Sequence, residues 1–161
     1  MMPQPSMPPV EELFASHRAK LENFCFRMVG QREAAQDLAQ EVFVRAIQSA
    51  GPVDVAWLFG VARNACVDHL RRAGGWRKMW EKLCGRPLVT TFDDALVERE
   101  AGFRVLRALP PRERALLLLK EYAGLDYQQL AAIFSTTPGS IGVMLHRARQ
   151  RACQLLEAQP R

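Results

Sequence analysis

Toward the C-terminal end of the chain, His146, Arg147, Arg149 and Arg151 recur at spacings that place them on the outer side of one helix. Side chains of this kind, unaccompanied by a nucleophile or a carboxylate pair, do not make or break bonds. They pair with phosphates and hydrogen-bond to base edges, which is recognition chemistry. The charge distribution points the same way. Residues 103–161 hold nine Lys/Arg against four Asp/Glu, an excess of +5 that equals the formal net charge of the whole chain. Residues 1–102 carry thirteen of each sign and balance to zero. A basic excess confined to one end is the electrostatic footprint of phosphate contact.

The elements that must position those cations are legible in the stretch 109–153, LPPRERALLLLKEYAGLDYQQLAAIFSTTPGSIGVMLHRARQRAC. Asp126 precedes an apolar run (Leu130, Ile133, Phe134) and has Gln129 three residues on, the arrangement of a capping box. Ser135-Thr136-Thr137-Pro138 then breaks that helix and starts another. Thr137 is a good N-cap, and Pro138 in the first helical position gives up an N–H that had no partner there. The second helix is expected over 139–156 with Ile141, Leu145, Ala148 and Ala152 inward. A capped short helix, a tight turn and a basic second helix is the form in which helix-turn-helix motifs enter the major groove.

Other chemistries find less support. Cys25, Cys66, Cys84 and Cys153 lack metal-type pairing and suit free thiols in a reducing compartment. Cys66 and His69 could share an ion, but a structural zinc site needs further ligands, so a core cysteine beside a surface histidine is the expectation. The adjacent acids Asp93-Asp94 sit at an expected helix start, so no clustered carboxylate or Cys/His site of a nucleic-acid enzyme is apparent. No cofactor is expected. At 161 residues, 48% of them hydrophobic, the chain can build one core or two small ones. It has no apolar run near the roughly 20 residues of a membrane span. The opening MMPQPSMPP lacks the pattern of a signal peptide and reads as a disordered tail, 1–9.

Helical periodicity accounts for the rest. Val10, Leu13, Phe14, Leu21, Phe24, Cys25 and Met28 mark a helix opened by Pro8-Pro9 and closed by Gly30. A second helix is expected over 32–49, with Ala34, Ala35, Leu38, Val42, Ala46 and Ile47 inward. Asp37, Gln40 and Glu41 share a different face. After the breaker at 49–53, Asp54 can cap a third helix, 55–72, with Trp57, Leu58, Val61, Ala65 and Leu70 inward. Its polar surface carries Arg63, Asn64, Asp68, His69, Arg71 and Arg72, and Ala73-Gly74-Gly75 should end it. The stretch 76–94, with Trp76 and Trp80 in a basic setting, reads as linker after a short helix to Leu83. A helix over 95–108 and another over 112–123, whose LLLL run must be mostly buried, complete the C-terminal part. The expected fold class is therefore all-α: two small helical modules, 10–72 and 95–157, joined by a flexible linker, 73–94, the second module a helix-turn-helix.

Taken together, three segments resemble a bacterial RNA polymerase sigma factor of the extracytoplasmic-function (ECF) group. DLAQEVFVRA (37–46) is similar to the segment that grips the clamp helices of core RNA polymerase in that family. AWLFGVARNACVDHLRR (56–72) is similar to the helix beside the pocket that melts and reads the minus-ten element. The helix-turn-helix stretch, 109–151, is similar to the domain that reads the minus-thirty-five element. The resemblance implies an initiation factor, not an enzyme, and gives the polar faces their roles. Asp37, Gln40 and Glu41 would dock on core polymerase. Asn64 would contact the melted strand, with Asp54 in the loop 48–54 that captures a flipped base, and Arg71 and Arg72 would hold phosphates. Lys120, Ser140, His146, Arg147 and Arg149 would meet minus-thirty-five DNA. Core polymerase, promoter DNA and an anti-sigma partner are the implied partners. The implied location is cytoplasmic, with any attachment to a membrane made through the anti-sigma partner.

Two departures bear on specificity. Gly142, Val143 and Met144 stand where the family often has basic residues, which favours apolar contact with thymine methyls or readout of DNA shape. The loop at 49–53 is shorter than the family's commoner form and lacks its usual Phe-Arg-Gly start, so minus-ten specificity does not carry over. The rival readings are a helix-turn-helix regulator without sigma activity, an enzyme acting on nucleic acid, and a dedicated protein-binding helical module. The first would need a sensing module of alternating strands and helices, which 1–94 does not show.

Overall fold

A computed structural model describes residues 9–84 and 101–158, and among these residues the regular structure is helical throughout. Helix α1 spans Val10–Val29 and α2 spans Arg32–Gln48. They turn on Gly30, whose φ of 76° is left-handed and whose N–H closes onto the Phe26 carbonyl at 2.7 Å. Only glycine adopts that conformation without steric cost. Helix α3 begins at Val55, where the Asp54 carboxylate accepts from the Trp57 N–H at 2.8 Å. The three helices bury Leu21, Phe24, Cys25, Met28, Val42, Leu58, Phe59 and Ala62 between them. Edge-on pairs of Phe14 with Phe43 and Phe24 with Phe59 set the spacing, at 4.3 and 5.4 Å between ring centres. Each such pair adds about 0.5–1.5 kcal/mol to the burial of the rings.

Two expectations need correction here. Helix α3 does not stop at Ala73-Gly74-Gly75 but continues to Cys84. Each glycine costs about 1 kcal/mol relative to alanine, yet a helix already several turns long extends without a new nucleation step. Ile47 is not inward: it is 73% exposed, and Ala39 and Phe43 take the buried arc of α2 instead. On α3 the buried arc is Leu58, Phe59, Ala62, Ala65 and Cys66, and Trp57, Val61 and Leu70 pack half-buried against the same core, as expected.

The C-terminal module consists of α4 (Ala101–Ala108), α5 (Pro111–Leu117), α6 (Tyr127–Ile133) and α7 (Pro138–Glu157). The expected single helix over 112–123 is in fact α5 running into a wide π-helical turn, Leu118–Tyr122, closed by the Ala123 N–H on the Leu118 carbonyl at 2.9 Å. Gly124, at a φ of 74°, ends it. As expected, the leucine run is mostly buried: Leu116, Leu118 and Leu119 are in the core and Leu117 is half-buried. Residues 85–100 lie outside the described residues, and with them part of the expected linker, the Asp93-Asp94 cap and the start of the expected helix over 95–108.

The two modules pack on one another. Helices α4 and α5 lie against α1, and α5 also meets α3, so a single hydrophobic cluster runs through both. Phe26 of α1 meets Phe103 of α4 at 5.4 Å between ring centres. Tyr122 lies under both Lys20 and Arg27 of α1, at 5.8 and 5.1 Å. No helix among the described residues is long and apolar enough to cross a membrane.

Candidate nucleic-acid interface

Two local devices aim the C-terminal cations. The Gln129 N–H donates to the Asp126 carboxylate at 2.8 Å while the Asp126 N–H donates back to the Gln129 side-chain oxygen at 2.9 Å, so the capping box read from sequence is formed. The Ser140 N–H donates to the Thr137 hydroxyl at 3.2 Å, with Pro138 in the first turn. Between the two helices Ser135 takes a left-handed φ of 53°, which keeps the turn short. Ile141, Leu145 and Ala148 are fully buried against the rest of the module. That anchoring turns Ser140, His146, Arg147 and Arg149 to the exposed side of α7.

The exposed cations differ in availability. Arg149 donates to Glu121 at 2.6 Å and Arg151 to Glu113 at 2.9 Å, so both are already paired within the chain. The hydrogen bond to Glu121 holds the Arg149 proton more firmly than usual. Among the described residues Arg147 meets no carboxylate at ion-pair distance. Lys120 is half-buried with its ammonium 5.6 Å from the centre of the Tyr127 ring. Of the apolar trio on the recognition helix, only Val143 stands well out, at 53% exposure; Gly142 and Met144 are half-buried.

In the N-terminal module Asp37, Gln40 and Glu41 are all exposed on α2, but they open onto two hollows. Asp37 and Glu41 line one of about 230 Å³ between α2 and α3, with Arg45, Asp68, His69 and Arg72. Glu41 is bound by Arg45 at 2.5 Å. Gln40 lines a groove of about 460 Å³ between α1 and α2 whose other walls are mostly apolar: Phe14, Phe43, Val44 and Ile47. The exposed side chains of Val44 and Ile47 are therefore part of the same surface, which sequence periodicity had turned inward for Ile47.

Asn64 and Asp54 come together in a cleft of about 550 Å³, but its far wall belongs to the helix-turn-helix. Trp57, Gly60 and Val61 of α3 face Gln129, Ala132 and Ile133 of α6. The Asp54 carboxylate is engaged as the α3 cap, and the Asn64 side-chain oxygen accepts from Arg63 at 2.9 Å. Arg71 and Arg72 are exposed further along α3, Arg71 at 4.0 Å from Asp68. Arg63, which the sequence places on the polar surface of α3, gains a partner only in the fold. It is half-buried, and its guanidinium lies 4.6 Å from the centre of the Phe134 ring, with Arg112 on the same ring at 6.0 Å. Burial, then the charges of Arg112 and Arg71, lower its affinity for its proton. No sequence spacing links Arg63 to Phe134, so nothing local could have found the pair.

Cys66 and Cys25 are both buried, and the hydrogen bond between their thiols, then burial, pushes the Cys66 thiol well above the ordinary range. Among the described residues no group of three or more His, Cys, Asp or Glu could hold a metal ion.

Comparison with known proteins gives a family match for each module. The family model for sigma-70 region 2 matches residues 13–75, and the one for sigma-70 region 4 matches residues 103–151. A protein named "Probable ECF RNA polymerase sigma factor SigI" from Mycobacterium tuberculosis is 32% identical over 158 residues, covering 89% of this chain and 54% of its own length. RNA polymerase sigma factor CarQ of Myxococcus xanthus is 26% identical over 154 residues, covering 91% of this chain and 88% of its own. The chain thus spans about half the length of the first of these relatives. Among solved structures, the sigma factor RpoE in complex with the anti-sigma factor NepR from Bartonella quintana aligns with a TM-score of 0.70 at 22% identity, over 93% of this chain and 98% of that one. CnrH in complex with the cytosolic domain of CnrY aligns at 0.67 and 21% identity, over 94% and 89%. Those two likenesses are of fold.

Proposed function

The chain belongs to the ECF group of RNA polymerase sigma factors, and we propose that it binds core RNA polymerase and directs it to promoters by reading minus-ten and minus-thirty-five elements. Sigma factors are transcription initiation factors rather than enzymes. The observation that carries the reading is the order of the two matched regions together with what each exposes. An acidic and apolar surface on α2 precedes a basic recognition helix capped by Thr137.

Asp37, Glu41 and Gln40 supply acceptors to basic groups on polymerase, and Val44 and Ile47 supply apolar contact beside them. Asn64, Asp54, Arg71 and Arg72 attend the melted minus-ten strand. Lys120, Ser140, His146, Arg147 and Arg149 meet the minus-thirty-five duplex. Neither DNA contact need be tight alone, because tethering on polymerase raises the effective concentration of the second once the first is made. Phosphate contacts make the DNA step sensitive to salt. The working location is the cytoplasm, and the likeness to sigma factors solved with anti-sigma factors supports a partner of that kind.

Run-off transcription with purified core polymerase, on DNA from just upstream of the chain's own operon, tests this. A discrete transcript that needs both the protein and core is expected. Absence of any core binding would return the chain to the regulators that carry a helix-turn-helix without sigma activity.

A further inference from the structure

Where α3 meets the start of α5 there is a hollow of about 380 Å³. Every charged side chain that lines it is an arginine: Arg63 and Arg71 from α3, and Arg112 from α5. The rest of its wall is apolar, made by Val67 and Leu70 of α3 and by the Pro110-Pro111 pair. Positions 63, 67, 70 and 71 are three or four apart, so one face of α3 supplies its whole share of the lining. Neither proline offers an N–H, so recognition there falls to the guanidiniums.

Three cations gathered on one hollow with no acid in its lining repel one another. Among the described residues neither Arg63 nor Arg112 meets a carboxylate at ion-pair distance. Asp68 stands 4.0 Å from Arg71, whose side chain is 78% exposed, and a pair so long and so solvated neutralises little. Glu113, beside Arg112 in the chain, is taken by Arg151 at 2.9 Å. Burial first, then the charges of Arg112 and Arg71, lower the proton affinity of Arg63, so both neighbours act on it. A terminal nitrogen of Arg63 donates to Asn64 at 2.9 Å, but its Nε is buried and has no hydrogen-bond partner. A buried donor left unmade is costly, and an anion in the hollow relieves both that cost and the repulsion.

We infer that this hollow binds a small polyphosphate of the nucleoside triphosphate class, with the phosphates on Arg63, Arg71 and Arg112 and the nucleoside against Val67, Leu70 and the two prolines. Guanidinium forks match phosphate oxygens in charge and in geometry, and three of them suit a chain of phosphates better than a single one. The volume lies in the range of small-ligand sites. The inference goes beyond the sigma-factor reading and does not rest on it. Arg63 and Arg112 have no part in the promoter contacts proposed above; Arg71 does, so the ligand and the minus-ten strand compete for it.

Isothermal titration calorimetry of the full chain at low ionic strength, with magnesium-free ATP and inorganic tripolyphosphate as probes, tests the site. One ATP per chain is expected, held more tightly than tripolyphosphate. Arg63→Gln and Arg112→Gln are each expected to weaken ATP binding by about 10- to 100-fold, the ordinary worth of a hydrogen bond to a charged group. Arg112 is exposed, so its variant is expected to keep the parent's circular dichroism and melting curve. Arg18→Gln removes the same charge from α1, away from the lining of the hollow, and is expected to leave the affinity within about twofold. No saturable binding by the parent, or equal weakening by Arg112→Gln and Arg18→Gln, would overturn the site and leave diffuse attraction to a basic chain. Equal affinity for the two probes would remove the nucleoside from the apolar wall. A single-stranded oligonucleotide that binds through Arg63 and Arg112 while neither small probe binds would overturn the small-molecule site and make the hollow a contact for the melted strand.

Discussion

Arg114 of α5 donates a hydrogen bond to the main-chain oxygen of Met28 in the last turn of α1, 86 residues earlier in the chain. Its other terminal nitrogen donates to the Arg107 and Leu109 carbonyls at 3.0 and 3.1 Å, where α4 ends. One buried guanidinium therefore gathers the carboxyl-terminal ends of two helices, one from each module. Both ends carry the partial negative charge of the helix dipole, which is the compensation available here to a cation with no carboxylate beside it. Burial, then the charge of Arg107, lowers the Arg114 proton affinity. An arginine still stays charged throughout the physiological range.

Arg114→Met should therefore cost about 2–4 kcal/mol of stability, since several charge-assisted hydrogen bonds go and three carbonyls, two of them in buried contacts, lose a donor. It should also broaden or split the unfolding transition as the modules uncouple. Urea denaturation followed by circular dichroism reads both effects. An unmoved midpoint would mean that the modules are held by apolar contact alone.

Asp126→Ala removes one half of the capping box and leaves the first turn of α6 without its acceptor. About 1 kcal/mol should be lost, and Asp126→Asn should retain most of it. The comparison of the two urea midpoints separates loss of the cap from loss of charge. Equal losses would point to the charge.

Arg147 and Arg149 should behave differently although both are exposed on α7. Arg147→Ala should lower the slope of log affinity against log salt by about one on a minus-thirty-five duplex. Arg149→Ala should lower it less, because Arg149 must first leave Glu121, and Glu121→Gln should tighten binding by freeing it. Fluorescence anisotropy across a potassium chloride series measures all three. Identical slopes for the two arginine variants would remove Glu121 from the account.

Asp37→Arg with Glu41→Arg should reduce co-purification with core polymerase by about 10- to 100-fold, since it turns attraction into like-charge juxtaposition. Helicity should hardly change: the new repulsion between positions 41 and 45 costs only about 0.5 kcal/mol. Ile47→Ser should weaken the same association without unfolding the chain, because Ile47 buries little in the free protein. Full retention of core binding by the charge-reversed protein would move the docking surface off α2.

What the sequence alone determined was whatever depends on residues three or four apart. The caps at Asp54, Asp126 and Thr137 are found where they were expected, because a cap is a contract between a side chain and an N–H two or three residues on. The turn at Gly30 and the outward face of α7 follow from equally local rules. Gly74-Gly75 does not mark the end of α3, because glycine weakens a helix by a finite amount, and whether that stops it depends on the helix already formed. Ile47 is exposed against its periodicity, because periodicity marks an apolar side chain without saying which neighbour exists to cover it. Only the tertiary structure decided how the two modules sit together. Arg114 on Met28, Ile133 against Gly60 and Arg63 on Phe134 join residues tens of positions apart, and no repeat along the chain records such a pairing. Shape and charge complementarity between folded surfaces selects those partners, and it comes into being only when the helices have formed.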